Sequence, residues 1–249
     1  MQQPPPDPSK SRSDQRRLDR RAAAKALWNA PIRGLGHRLH AWSNMLFVDH
    51  GVLRAVYLNR HAVGERAFRA AQPLPGQIAR AARRFGVRTV ISLRGGVIFG
   101  SLPLEKEACD RAGIAFETFV LRSRALPTKE ELRGLQDLIA RVETPVLFHC
   151  KSGADRAGFM AALWLILAEG RTVAEARGQL SLRYGHVQAG PTGILDLFFE
   201  HAARAEARGV PFLDWVADEY DRDALTAEYE ASAHSGFATL LVDKLLRRE

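Results

Sequence analysis

The run His149-Cys150-Lys151-Ser152-Gly153-Ala154-Asp155-Arg156-Ala157-Gly158 constrains this chain more than any other segment. A short apolar run, Pro145 to Phe148, precedes it, and a longer one, Phe159 to Ala168, follows it. The first has the length of a buried strand and the second that of a buried helix. A tight loop therefore joins strand to helix, with a cysteine where it begins and an arginine near its end. Connections of this kind build parallel sheets, and they place the loop at the carboxyl end of a strand, where such folds bind ligands.

The rest of the chain fits that reading. Val52 to Leu58, Phe68 to Ala71, Ile114 to Leu121 and the β-branched-rich Arg88 to Leu93 read as strands. Gly76 to Phe85 and Leu102 to Ala112 read as helices, and Thr128 with Glu131 three residues on is a capping box that starts a helix to about Val142. The alternation predicts an α/β fold with a mainly parallel central sheet flanked by helices. After Gly170 the pattern is helical, with helices predicted over Val173 to Tyr184, Ile194 to Ala207, Phe212 to Glu219 and Asp223 to Lys244. This predicts a helical C-terminal extension.

The chemistry of the loop follows from its residue types. A free thiol is mostly protonated at neutral pH, and a helix N-terminus, unpaired backbone N–H groups and a nearby cation favour its thiolate. The same N–H groups make a nest for an anion. Arg156, six residues after Cys150, can hold two phosphate oxygens in its planar fork. Gly153 suits a backbone that must curl closely around a ligand. His149 is placed to order the loop through backbone contacts.

His149 to Arg156 matches the HCxxGxxR signature, and the chain resembles the cysteine-dependent tyrosine and dual-specificity phosphatases. Ala67-Phe68-Arg69-Ala70-Ala71-Gln72-Pro73 and Gly86-Val87-Arg88-Thr89-Val90-Ile91-Ser92-Leu93-Arg94-Gly95 are similar to the bacterial dual-specificity-like branch. The resemblance spans about residues 45 to 185. It implies a tyrosine-phosphatase-like fold and hydrolysis through a phosphocysteine, with no metal or cofactor. Cys150 would be the nucleophile, Arg156 the phosphate clamp, and Lys151, Ser152, Gly153, Ala154 and Ala157 the substrate cradle.

The chain departs from that family twice. Ala157 stands where the family carries a hydroxyl that helps the thiolate leave; Ser152 is the candidate substitute. The upstream segment Leu121 to Pro127, where most members carry the acidic residue, has no carboxylate. Some relatives instead carry an aspartate directly before the loop arginine, as Asp155 stands here. Two readings fit Asp155: a general acid, which would give an acidic-to-neutral optimum, and a first-turn carboxylate that supports the helix. Arg122 and Arg124 are candidates for holding substrate phosphate, or plain solvated charge. Lys151 has counterparts in phospholipid phosphatases and pulls toward an anionic lipid substrate. The substrate is thus a phosphorylated protein or a phospholipid head group, and a phosphate-capturing protein without turnover stays open.

Net charge is +8 over 249 residues, and residues 1 to 40 alone hold nine Lys/Arg against three Asp. The organisation predicted is a basic, partly disordered tail over 1–44, a phosphatase domain over 45–185 and a helical extension over 186–249. Within the tail, Arg16 to Trp28 reads as a basic helix that would offer peripheral contact to an anionic membrane, with Leu27 and Trp28 at the interface. No run reaches the roughly 20 apolar residues of a span, and no signal peptide is visible. Two cysteines make no disulfide framework, so a cytoplasmic protein is expected. No nucleic-acid-binding motif is present. His186 reads as a surface-loop histidine near the site.

Overall fold

The computed structural model describes residues 12–95 and 99–232. Two N-terminal helices come first, α1 (Arg12–Asn29) and α2 (Gly34–Ser43), the second running into a π-turn at Asn44–Val48, then a short α3 (Gly51–Val56). The body follows as β1 (His61–Val63), β2 (Ala67–Ala71), α4 (Pro75–Phe85), β3 (Thr89–Ser92) and α5 (Ser101–Ala112). It continues with β4 (Ala115–Thr118), α6 (Lys129–Arg141), β5 (Val146–Cys150) and α7 (Asp155–Glu169). Beyond these lie the single-turn α8 (Val173–Ala176), α9 (Ile194–Ala207) and a last helical stretch over 222–232.

The five strands form one sheet in the order β1-β2-β5-β3-β4. Pairings β2–β5, β5–β3 and β3–β4 are parallel, and only β1 runs antiparallel, on β2. The chain is an α/β protein with a mainly parallel sheet and helices at its C-terminal end. β5 takes the centre because Val146, Leu147 and Phe148 are apolar on both faces, and every residue of the strand is buried. α7 is apolar nearly all round, so it belongs in the interior, and Ala157 to Leu165 are all buried. α6 starts where the capping box puts it: the Glu131 N–H donates to Thr128 Oγ1 at 3.1 Å, and the Thr128 N–H to Glu131 Oε2 at 2.9 Å.

Three expectations change. Val52 to Leu58 is not a strand; Gly51–Val56 is helical and leaves Val52, Leu53 and Val56 exposed. An apolar run too short for periodicity to decide cannot separate strand from helix. Val173 to Tyr184 is not one helix but α8 followed by two 3₁₀ turns, broken at Leu180 and Ser181. Trp28 is not at a surface: it is 3% exposed and packs with Ala41, Met45 and Leu104, which seats α1 and α2 on α5. The predicted helix over Asp223 to Lys244 lies partly outside the described residues; 222–232 are helical. The principal core runs from Val63 to Leu225, so the C-terminal helices share it with β5 and α7.

Candidate active site

β5 delivers Cys150 to the carboxyl end of the central strand, and α7 begins five residues later at Asp155. The Cys150 thiol is 1% exposed, and its Sγ accepts the Gly153 N–H at 3.2 Å. The loop carbonyls turn outward, each onto a donor. Gln72 N–H donates to Lys151 O at 3.4 Å and Asn59 Nδ2 to Ser152 O at 3.1 Å. Arg69 Nη2 donates to both Gly153 O, at 2.9 Å, and Ala154 O, at 2.8 Å. Peptide planes whose C=O groups face out present their N–H edges inward, above the thiol and beside the positive end of α7. This is an anion cup with a sulfur at its floor. Gly153 is required there: its φ is +77°, and a Cβ would lie 2.5 Å from Ala71 N.

The brace around the loop comes from residues far away in sequence. Arg69, on β2, is fully buried and lies over the Tyr184 ring at 4.1 Å. Burial lowers its pKa to about 10, against the raising pull of Tyr184, Cys150 and Asp155, so it stays charged at neutral pH. Asn59, at φ 47°, also donates to Tyr184 O at 2.9 Å. On the other side, His149 Nε2 and Glu105 Oε1 sit 2.7 Å apart, both buried. Neither atom has a hydrogen-bond partner, so this is a close polar contact rather than a directed bond. Gln72 Nε2 donates to Glu105 Oε2 at 3.0 Å, and Arg94 donates to Gln72 Oε1 and, at 2.8 Å, to Asp49 Oδ1. Asp49 is fully buried, paired also with Arg54 at 2.9 Å, and lies 3.9 Å from Lys151 Nζ.

At the start of α7 the structure joins Asp155 to a residue read from sequence as peripheral. His186 is 1% exposed, not a surface histidine. Its Nδ1 bonds Asp155 Oδ1 at 2.8 Å and its Nε2 bonds Asp196 Oδ2 at 2.7 Å. Burial pulls the imidazole pKa down, but the two carboxylates outweigh it and lift it to about 9. His186 is therefore an imidazolium at neutral pH that donates from both nitrogens. Arg156 is half-buried on the first turn of α7 and makes no hydrogen bond or ion pair among the described residues.

Residues 102–173, which hold the loop and both flanking elements, match the tyrosine phosphatase family. Over this stretch the chain is similar to the cysteine-dependent tyrosine phosphatases. Solved structures similar to this phosphatase include TpbA of P. aeruginosa, at 23% identity over 69% of this chain and 90% of that one, TM-score 0.44. The core catalytic domain of the PP-IP phosphatase SIW14 from S. cerevisiae shares 13% identity over 61% and 93% of the two chains, TM-score 0.46. PTPMT1 shares 20% over 60% and 99%, TM-score 0.43. Comparison with curated proteins found no match.

The remaining predicted residues of the phosphatase fall around the loop or away from it. Lys151 and Ser152 are on its outer rim, and Ser152 Oγ accepts the Ala154 N–H at 3.4 Å. Ala157 is fully buried and offers no hydroxyl. Arg122 pairs with Glu131 at 2.9 Å, which ties it to the cap of α6, and Arg124 is exposed. A cleft of about 500 Å³ lined by Gln72, Ser92, Arg94 and Glu105 opens beside the brace. Larger clefts, of about 760 and 800 Å³, lie between helices and contain no loop residue. Sequence reasoning passed over Arg69, Asn59, Asp49 and Glu105. The one signal was Arg69, a charge at the middle of an otherwise apolar strand, which needs a buried partner.

Proposed function

We propose that this phosphatase hydrolyses phosphomonoesters through a phosphocysteine, without metal or cofactor. The observation that carries this is the outward pairing of the carbonyls of Lys151, Ser152, Gly153 and Ala154, which leaves a cup of N–H groups over the Cys150 sulfur. In the first step the Cys150 thiolate attacks phosphorus, the P–O bond to the leaving group breaks, and that oxygen takes a proton. In the second, water attacks the phosphocysteine, the P–S bond breaks, and phosphate leaves with the thiolate restored. The loop N–H groups and the Arg156 fork neutralise charge on the equatorial oxygens throughout. His149 and the Arg69 brace hold the loop in shape.

The leaving-group proton comes from the Asp155–His186 pair. His186, whose pKa is about 9, carries its proton at neutral pH, so supply of the proton extends to higher pH than a lone carboxyl would allow. Ala157 leaves the second step without a hydroxyl beside the sulfur, and Ser152 on the rim is the nearest substitute in sequence. Cys109 takes no part: burial, with Glu105 and Asp110, pushes its thiol up to about 12.

The substrate is a phosphorylated protein of the phosphotyrosine or dual-specificity type. A second reading, an anionic phospholipid head group, is favoured by Lys151 on the rim, with Arg122 and Arg124 as further cations for a multiply charged substrate. A thiolate nucleophile suits a reducing, cytoplasmic setting, and both cysteines are free. Residues 45–185 form the phosphatase unit in this reading.

The test is metal-free hydrolysis of an activated aryl phosphate and of a phosphate with a poor leaving group, by wild type, Cys150→Ser and Asp155→Asn. Cys150→Ser loses at least about a thousandfold on both. Asp155→Asn loses about 10²-fold or more on the poor leaving group and far less on the aryl phosphate. Equal losses on both would remove Asp155 from the proton's path. A wild type that binds vanadate but turns nothing over would make the protein a phosphate-capturing module.

A further inference from the structure

We propose that the helical segment 34–57 docks this protein on an anionic lipid bilayer. Leu35, Leu39, Phe47, Leu53, Val56 and Tyr57 are between 61% and 90% exposed. Scattered single apolar residues are ordinary on a folded surface, but six large ones within one short segment are not. They lie on α2, the π-turn and α3, with Tyr57 just past the end of α3, and these three consecutive elements pack on one another. Ala41 and Met45 of the same helical run turn inward onto Trp28 and Leu104, so the internal packing of this unit is already satisfied by other residues.

The charges around the face choose the occupant. Residues 20–64 contain seven Lys/Arg and a single carboxylate, Asp49. Asp49 is fully buried between Arg54 and Arg94, so this stretch presents no carboxylate to solvent. Arg38 is matched by Glu107 from α5, while Arg20, Lys25 and Arg33 are exposed. Exposed apolar side chains in a stretch whose exposed charges are all cations suit an anionic bilayer surface, where the apolar groups enter the acyl boundary and the cations meet head groups. A second copy of this chain would bring the same cations face to face. A peptide groove would leave its lining half-buried, whereas Val56, at 90% exposure, stands clear of its neighbours.

The face is coupled to the loop by position. Tyr57 Oη donates to Asn59 Oδ1 at 3.1 Å, and Asn59 holds the Ser152 carbonyl. Asp49, between the π-turn and α3, faces Lys151. Docking through 34–57 therefore holds the loop's neighbours Asp49 and Asn59 close to the docking segment. The attachment is peripheral, since among the described residues no helix is long and apolar enough to cross a membrane.

The test is sedimentation of the full chain with phosphatidylcholine vesicles, with and without about 30% phosphatidylglycerol. The wild type sediments with the anionic vesicles and not with the neutral ones. Phe47→Glu with Leu53→Glu lowers that partitioning at least about tenfold, because two apolar contacts are replaced by charges that the surface repels. Its melting temperature and its hydrolysis of a soluble aryl phosphate stay at wild-type values. Failure of the wild type to sediment overturns the proposal, whatever the phosphatase assay reads. Equal sedimentation of the double variant also overturns it. A wild-type dimer that the double variant converts to monomer would make the face a self-interface instead.

Discussion

Replacing His186 with glutamine removes a cation held between Asp155 and Asp196 while keeping a side chain of similar reach. In the folded protein the imidazole pKa is raised from about 6.5 to about 9. A group whose pKa rises on folding stabilises the fold fully below its unfolded value and loses that contribution as pH climbs through the folded value. Here the window is therefore pH 6.5 to 9. At 1.36 kcal/mol for each unit, the raised pKa corresponds to about 3 kcal/mol. For a chain of this length that is about 10 °C in melting temperature. Denaturant or thermal unfolding at pH 6.5 and pH 9.5 measures it. The gap between wild type and His186→Gln should be about 3 kcal/mol larger at pH 6.5 than at pH 9.5. Parallel curves for the two proteins would refute the reasoning, because His186 would then hold no extra proton between its carboxylates.

Two further outcomes follow from the loop. Arg69→Gln leaves the Gly153 and Ala154 carbonyls without their charged donor in the interior; stability should fall by about 3 kcal/mol, and vanadate affinity should fall with it, measured by unfolding and by inhibition of aryl phosphate hydrolysis. Arg69→Lys should restore little of either, since one ammonium cannot reproduce the guanidinium's fork toward the loop and Gln179. Gly153→Ala meets both a left-handed backbone and Ala71 N at 2.5 Å; kcat should drop by at least about tenfold even where circular dichroism shows the protein folded.

Much of the body was legible in the sequence because local patterns and global fold agree there. The all-apolar β5, the apolar α7 and the Thr128–Glu131 cap state their structures through composition and spacing, which require no knowledge of distant residues. The loop was legible for the same reason: Cys150, Gly153, Asp155 and Arg156 are consecutive enough that one strand–loop–helix turn brings them together. What failed was local ambiguity. Val52 to Leu58 is a short apolar run that serves equally as strand or helix, and its packing on the π-turn goes with the helix.

The sequence by itself determined a parallel α/β body with a cysteine loop at the end of its central strand, because period and turn chemistry are local properties. Tertiary structure alone decided how that loop is held. Arg69 reaches it across 84 and 85 residues, Asn59 across 93, and His186 meets Asp155 across 31. No spacing rule encodes such pairings. They arise because a buried carbonyl, cation or carboxylate must find a partner, and the partner is whatever side chain the sheet order places beside it.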